Sequence, residues 1–106
     1  QQLLPMRGVY AVMVQLDHSL VWKRGMMNIG KRPTFNGTKE TLEVNIFNFE
    51  GNLYGQDVSI RFISKIRDER KFDSLEALSQ QLEQDKHTIN ELFDRRHPMV
   101  DNIVEQ

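Results

Sequence analysis

Asn28-Ile29-Gly30-Lys31-Arg32-Pro33-Thr34-Phe35 runs through a turn-rich segment into Leu42-Glu43-Val44-Asn45-Ile46-Phe47, and the second of these stretches decides the fold. Leu42, Val44 and Ile46 alternate with Glu43, Asn45 and Phe47, which is the period of a strand with two unlike faces. Packing of the first set would fix the direction in which Glu43 points. A carboxylate held on a rigid strand, with loops on either side, has the geometry a general base requires. The plainer alternative is a solvated glutamate on the wet face of a half-buried sheet, where polar residues are the norm. By pattern alone the plainer alternative is the stronger.

Working outward, Val9-Tyr10-Ala11-Val12-Met13-Val14-Gln15-Leu16 is rich in β-branched and aromatic residues and predicts a strand. Asp17-His18-Ser19 supplies a turn, and Leu20 to Ile29 returns as its hairpin partner. Met26 and Met27 suit core filling better than a soft ligand surface. Gly30 to Glu40 is expected as a loop, since Gly30, Pro33, Asn36 and Gly37 are all turn residues. Glu50-Gly51-Asn52 makes a second tip, and Val58 to Ile66 alternates as a long strand with one wet face. Arg67-Asp68-Glu69-Arg70-Lys71 has the composition of a solvated connector. Asp73 is then expected to cap a helix, with Glu76 as its capping-box partner. Leu75, Leu78, Leu82, Ile89 and Leu92 form an apolar stripe, interrupted at Asp85, on a helix to about Phe93. That stripe reads as core packing. Pro98 stops any continuation, and residues 97–106 are expected as a loose tail after a domain spanning 1–96.

Composition narrows the chemistry. At 106 residues the chain suffices for one core. Fourteen Lys and Arg against fifteen Asp and Glu leave a net charge of −1, which offers no electrostatic reason to bind nucleic acid or an anionic membrane. With no cysteine there is no disulfide, thiolate metal site or cysteine nucleophile. His18, His87 and His97 are too scattered for a histidine metal site. No apolar run approaches the roughly 18 residues of a membrane span. A cytoplasmic location is the expectation.

Five stretches occur in one order: Gly8-Val9-Tyr10-Ala11-Val12, Asn28 through Phe35, Leu42-Glu43-Val44, Leu53-Tyr54-Gly55, and Arg67 through Leu75. Together they closely resemble the riboflavin kinase domain, in particular the C-terminal domain of bacterial bifunctional riboflavin kinase/FAD synthetase. The resemblance runs from about Leu3 to Phe93. It implies an all-β fold with a C-terminal helix, a six-stranded antiparallel Greek-key β-barrel. It also implies transfer of the ATP γ-phosphoryl group to the 5′-hydroxyl of riboflavin, giving FMN. Carried over onto matching positions, Glu43 is the catalytic base. Asn48, Leu53 and Gly55 line the adenine side, and Arg67, Glu69, Phe72 and Ser74 belong to a flap over the flavin. The prior on Glu43 thereby reverses.

The family's Pro-Thr-Ala-Asn motif, whose Thr and Asn hold Mg²⁺, precedes the Gly-Val-Tyr-Ala-Val strand and is expected upstream of this chain. Pro33-Thr34-Phe35-Asn36 resembles it only in composition, so no metal ligand is assigned here. The first barrel strand is likewise expected to be missing, the chain alone to be inactive or weakly active, and the parent to carry an N-terminal nucleotidyltransferase domain. Asn45 stands where many relatives have His. Two other function classes compete: a non-catalytic flavin- or nucleotide-binding barrel, and an oligonucleotide-binding barrel. The balanced charge counts against the latter.

Overall fold

The computed structural model describes residues 5–17, 19–96 and 102–104. Four strands come first: β1 (Gly8–Leu16), β2 (Val21–Thr34), β3 (Gly37–Ile46) and β4 (Val58–Arg67). The helix α1 (Leu75–Arg96) follows, then a short β5 (Asn102–Val104). The strands form one antiparallel sheet in the order β3-β2-β1-β4, with β5 also paired to β2. The expected antiparallel sheet with a C-terminal helix is what forms.

β1 is central, and its alternation builds two cores. Val9, Ala11 and Met13 point to the helix side and pack with Trp22, Met26, Phe47, Ile89 and Phe93. Tyr10, Val12 and Val14 point the other way, against Met27, Ile29 and Ile46. A strand apolar on both faces is one that both sides cover. Each buried Val or Ile contributes about 1.5–3 kcal/mol, so β1 anchors the molecule.

Three expectations change. Residues 30–40 are no loop: β2 and β3 pair as far as Thr34 opposite Gly37, leaving only Phe35 and Asn36 to turn. β1 begins at Gly8, opposite Ile29, so beyond that point β2 has only β3 beside it among the described residues, and a proline is tolerated there. Both faces are wet in this extension, so no apolar alternation marks it. The helix cap is Ser74, not Asp73. Its Oγ accepts from the Ala77 N–H at 3.1 Å and its carbonyl accepts from the Leu78 N–H at 3.1 Å. Glu76 therefore falls one position short of a capping box. Within the expected tail, Asn102 to Val104 pair with Lys23 to Val21. His18, His97 and Pro98 lie outside the described residues.

Candidate active site

One row of side chains crosses the whole sheet. Glu43 on β3 lies opposite Asn28 on β2, Asn28 opposite Val9 on β1, and Val9 opposite Arg67 on β4. Directly opposed strand residues project to the same face, and this is the face the helix covers. All four line a cavity of about 690 Å³, within the size range of small-molecule sites. Met26 and Asn45 form the next row of its floor.

The segment of residues 67–74 and the start of α1 form the walls. Glu69, Arg70, Phe72, Asp73 and Ser74 line it, as do Leu75, Leu78 and Leu82. Leu75 is 84% exposed and Leu82 39%. Only the C-terminal part of the helix stripe, Ile89 with Leu92 and Phe93, is core packing. The three earlier leucines give the cavity an apolar wall, which corrects the reading of the whole stripe as core.

Asp85, which looked like an interruption of that stripe, is 2% exposed. Its carboxylate receives Arg67 as a fork, Nε at 2.9 Å from Oδ1 and Nη2 at 2.7 Å from Oδ2, and Gln81 Nε2 donates to Oδ1 at 3.0 Å. Arg70 in turn donates to Gln81 Oε1 at 3.0 Å. The two guanidinium groups sit 5.9 and 4.9 Å from the centre of the Phe72 ring. A polar chain anchored in the helix thus holds the ring at the cavity wall, with cation–π attraction adding to its packing. Lys65 Nζ lies 2.7 Å from Asp68 Oδ1 at the root of the flap. This hydrogen bond raises the lysine pKa above, and lowers the aspartate pKa below, its ordinary value.

Five of the eight sequence-derived site residues thus meet: Glu43, Arg67, Glu69, Phe72 and Ser74. The Glu43 side chain is 63% exposed, and its one charged neighbour among the described residues is Arg32 Nη2, at 4.0 Å. Ser74 also caps the helix, and Arg67 is committed to Asp85. Asn48, Leu53 and Gly55 do not line this cavity. They sit in the β3–β4 connection, where Leu53 packs on the second core and Asn48 takes a left-handed φ of 56°. Asn28, Arg70 and Asp85 went unrecognised in the sequence. Asn28 alone carried a usable signal, a polar residue directly after Gly25-Met26-Met27 on the buried stretch of a strand. Among the described residues no three His, Asp or Glu side chains converge as a cation site.

The model of the riboflavin kinase (flavokinase) family matches residues 1–93. The chain belongs to the riboflavin kinase family. Among relatives, a bifunctional riboflavin kinase/FMN adenylyltransferase from Haemophilus influenzae is 45% identical over 93 residues, covering 88% of this chain and 30% of that protein. The RNA-binding riboflavin kinase RibR of Bacillus subtilis is 39% identical, covering 92% of this chain and 42% of that protein. A solved Streptococcus pneumoniae structure, described as a macrolide-efflux protein, superposes with a TM-score of 0.75 at 38% identity, over 83% of this chain and 28% of that one. The chain spans less than half the length of each of these proteins, between 28% and 42%.

Proposed function

We propose that this chain is the flavin-phosphorylating unit of a larger protein, taking riboflavin and ATP to FMN and ADP. The observation that carries the proposal is a carboxylate, Glu43, on the floor of a cavity walled by Phe72 and three leucines. A planar apolar ring system suits such walls, and a hydroxyl on its side chain suits the floor. In the reaction the 5′-oxygen of the ribityl chain bonds to the γ-phosphorus and the bond from that phosphorus to the ADP oxygen breaks. The hydroxyl proton passes to Glu43. Phosphoryl transfer asks a protein mainly for positioning and charge neutralisation, and Asn45, beside Glu43 on the same face, can hydrogen-bond a phosphate oxygen.

Arg67, Glu69, Phe72 and Ser74 take the flavin side in this reading, and Asn48, Leu53 and Gly55 the adenine side. Mg²⁺ would have ligands outside this chain and would supply charge neutralisation when bound. The names of the relatives support a second, adenylyl-transferring domain in the parent protein, and a cytoplasmic location goes with this reading. Titrating the purified protein into riboflavin and following flavin fluorescence tests the reading. Saturable quenching that weakens in Phe72→Ala supports it. A folded protein giving no quenching near 100 µM flavin, a concentration well above a μM-range Kd, overturns it.

A further inference from the structure

Asn28 occupies the centre of the cross-sheet row, between Glu43 and Val9. It lines the cavity, yet its Oδ1 is shielded from water and accepts no hydrogen bond. Buried acceptors in folded proteins almost always find a donor, and one that does not calls for a reason. Neither cross-strand neighbour can supply one. Val9 is apolar, and an ionised Glu43 carboxylate accepts but does not donate. An apolar residue of the same size would remove the penalty of an unpaired acceptor, so the amide at this position makes sense only with a donor that is not part of the sheet. The terminal torsion of an asparagine is broad, and a turn about it brings Oδ1 into the cavity.

We propose that Asn28 reads the polyhydroxyl side chain of the substrate, with Oδ1 accepting from a secondary hydroxyl close to the one whose proton goes to Glu43. This inference rests on the riboflavin reading above and adds to it a specificity-determining residue. Directly opposed residues place their Cβ atoms about 5 Å apart, so the two side chains together span neighbouring hydroxyls of one extended chain. Glu43 acts on the reacting hydroxyl and Asn28 fixes the chain that presents it. The ring walls, Phe72 and the leucines, make no use of Asn28. The site should therefore tell a flavin with a hydroxylated chain from one without.

The test compares riboflavin with lumiflavin, which has the same ring system and a methyl group in place of the ribityl chain. Both are titrated by fluorescence into the purified protein and its Asn28→Leu variant, with thermal melts of each. Riboflavin affinity should fall roughly ten-fold or more, the loss of one buried hydrogen bond. Lumiflavin affinity should stay within a factor of about two, and the melting midpoint should hold or rise. Asn28→Thr retains an oxygen and should lose less, and it carries the comparison if the leucine variant does not fold. A folded Asn28→Leu that binds riboflavin like the parent overturns the inference and leaves the riboflavin reading standing. Equal losses for both flavins overturn it too, because Asn28 would then support the ring or the fold. If the unmutated protein binds neither flavin, the riboflavin reading itself fails and takes this inference with it.

Discussion

Arg67 and Asp85 meet as a two-pronged ion pair across the seam between β4 and α1, with the shorter contact at 2.7 Å. Taking two charges out of water is expensive, and such a pair contributes less to stability than its geometry suggests. Its effect is positional: it fixes the helix against the sheet and sets Arg67 beside Phe72. Breaking it from one side leaves a guanidinium without its partner. Asp85→Ala should cost roughly 3 kcal/mol, the low end for a buried pair because Arg67 keeps some solvent. Urea unfolding measures this, and a double Arg67→Met, Asp85→Leu replacement should recover most of the loss.

Glu43→Gln separates catalysis from binding. The amide keeps the size and hydrogen-bonding reach of the carboxylate but cannot take the proton. Phosphoryl transfer by the full-length protein should drop by roughly 10²–10⁴-fold, the usual contribution of a general base. Riboflavin affinity should change little. A variant with unaltered turnover would make Glu43 a solvated surface residue.

Phe72→Ala removes the ring that two arginines hold at the cavity wall. Aromatic contacts add about 0.5–1.5 kcal/mol beyond area burial, so flavin affinity should weaken by roughly two- to twelve-fold, readable by fluorescence titration. The fold should notice little, because Phe72 is only half-buried. A fall in melting temperature as large as that of Asp85→Ala would mean the ring is structural.

What the sequence made legible follows from how local each signal is. The alternation in β1 was plain because both its faces are buried, and that in the second half of β3 because Val44 and Ile46 pack on the second core, although Leu42 is 52% exposed. The β2–β3 extension was hidden, because Lys31 to Glu40 are exposed on both faces and their turn residues suggested a loop. Asp85 was misread because its partner Arg67 is 18 residues away in sequence. No helical period can announce such a pair. For Glu43, the period gave its face but not its role. The role proposed for it rests on the order of five motifs, and the register then added Asn28 as its neighbour.

The Lys65–Asp68 contact makes a prediction in pH. Lys65 titrates above its ordinary 10.5 and Asp68 below its ordinary 3.8, each chiefly through their shared hydrogen bond. A raised lysine contributes below 10.5 and loses that contribution as pH rises through its folded value. A lowered aspartate contributes above 3.8 and loses it as pH falls through its folded value. The contact therefore acts between those limits. Both groups are solvent-accessible, so salt should weaken it. NMR titration checks the direction, and Asp68→Asn should return the lysine towards its ordinary value.

Two glycines of β2 should respond oppositely to alanine, although both are buried. At Gly25 an added Cβ would sit 2.9 Å from the Asn45 carbonyl oxygen and 3.1 Å from a Val14 methyl, in a packed part of the sheet where backbone cannot retreat. Gly25→Ala should cost roughly 1–3 kcal/mol, as overpacking does. At Gly30 the three nearest atoms all belong to the end of the Glu69 side chain, whose carboxylate lies where the methyl would go. That flexible side chain can swing aside, so Gly30→Ala should cost less than about 1 kcal/mol. It would, however, drive the Glu69 carboxylate off the sheet at the edge of the cavity. Thermal melts should thus show a clear loss for Gly25→Ala and almost none for Gly30→Ala, while flavin affinity should shift in Gly30→Ala if Glu69 touches the ligand. Equal melting losses would mean that the flap cannot yield, and that Glu69 is as fixed as the strand beneath it.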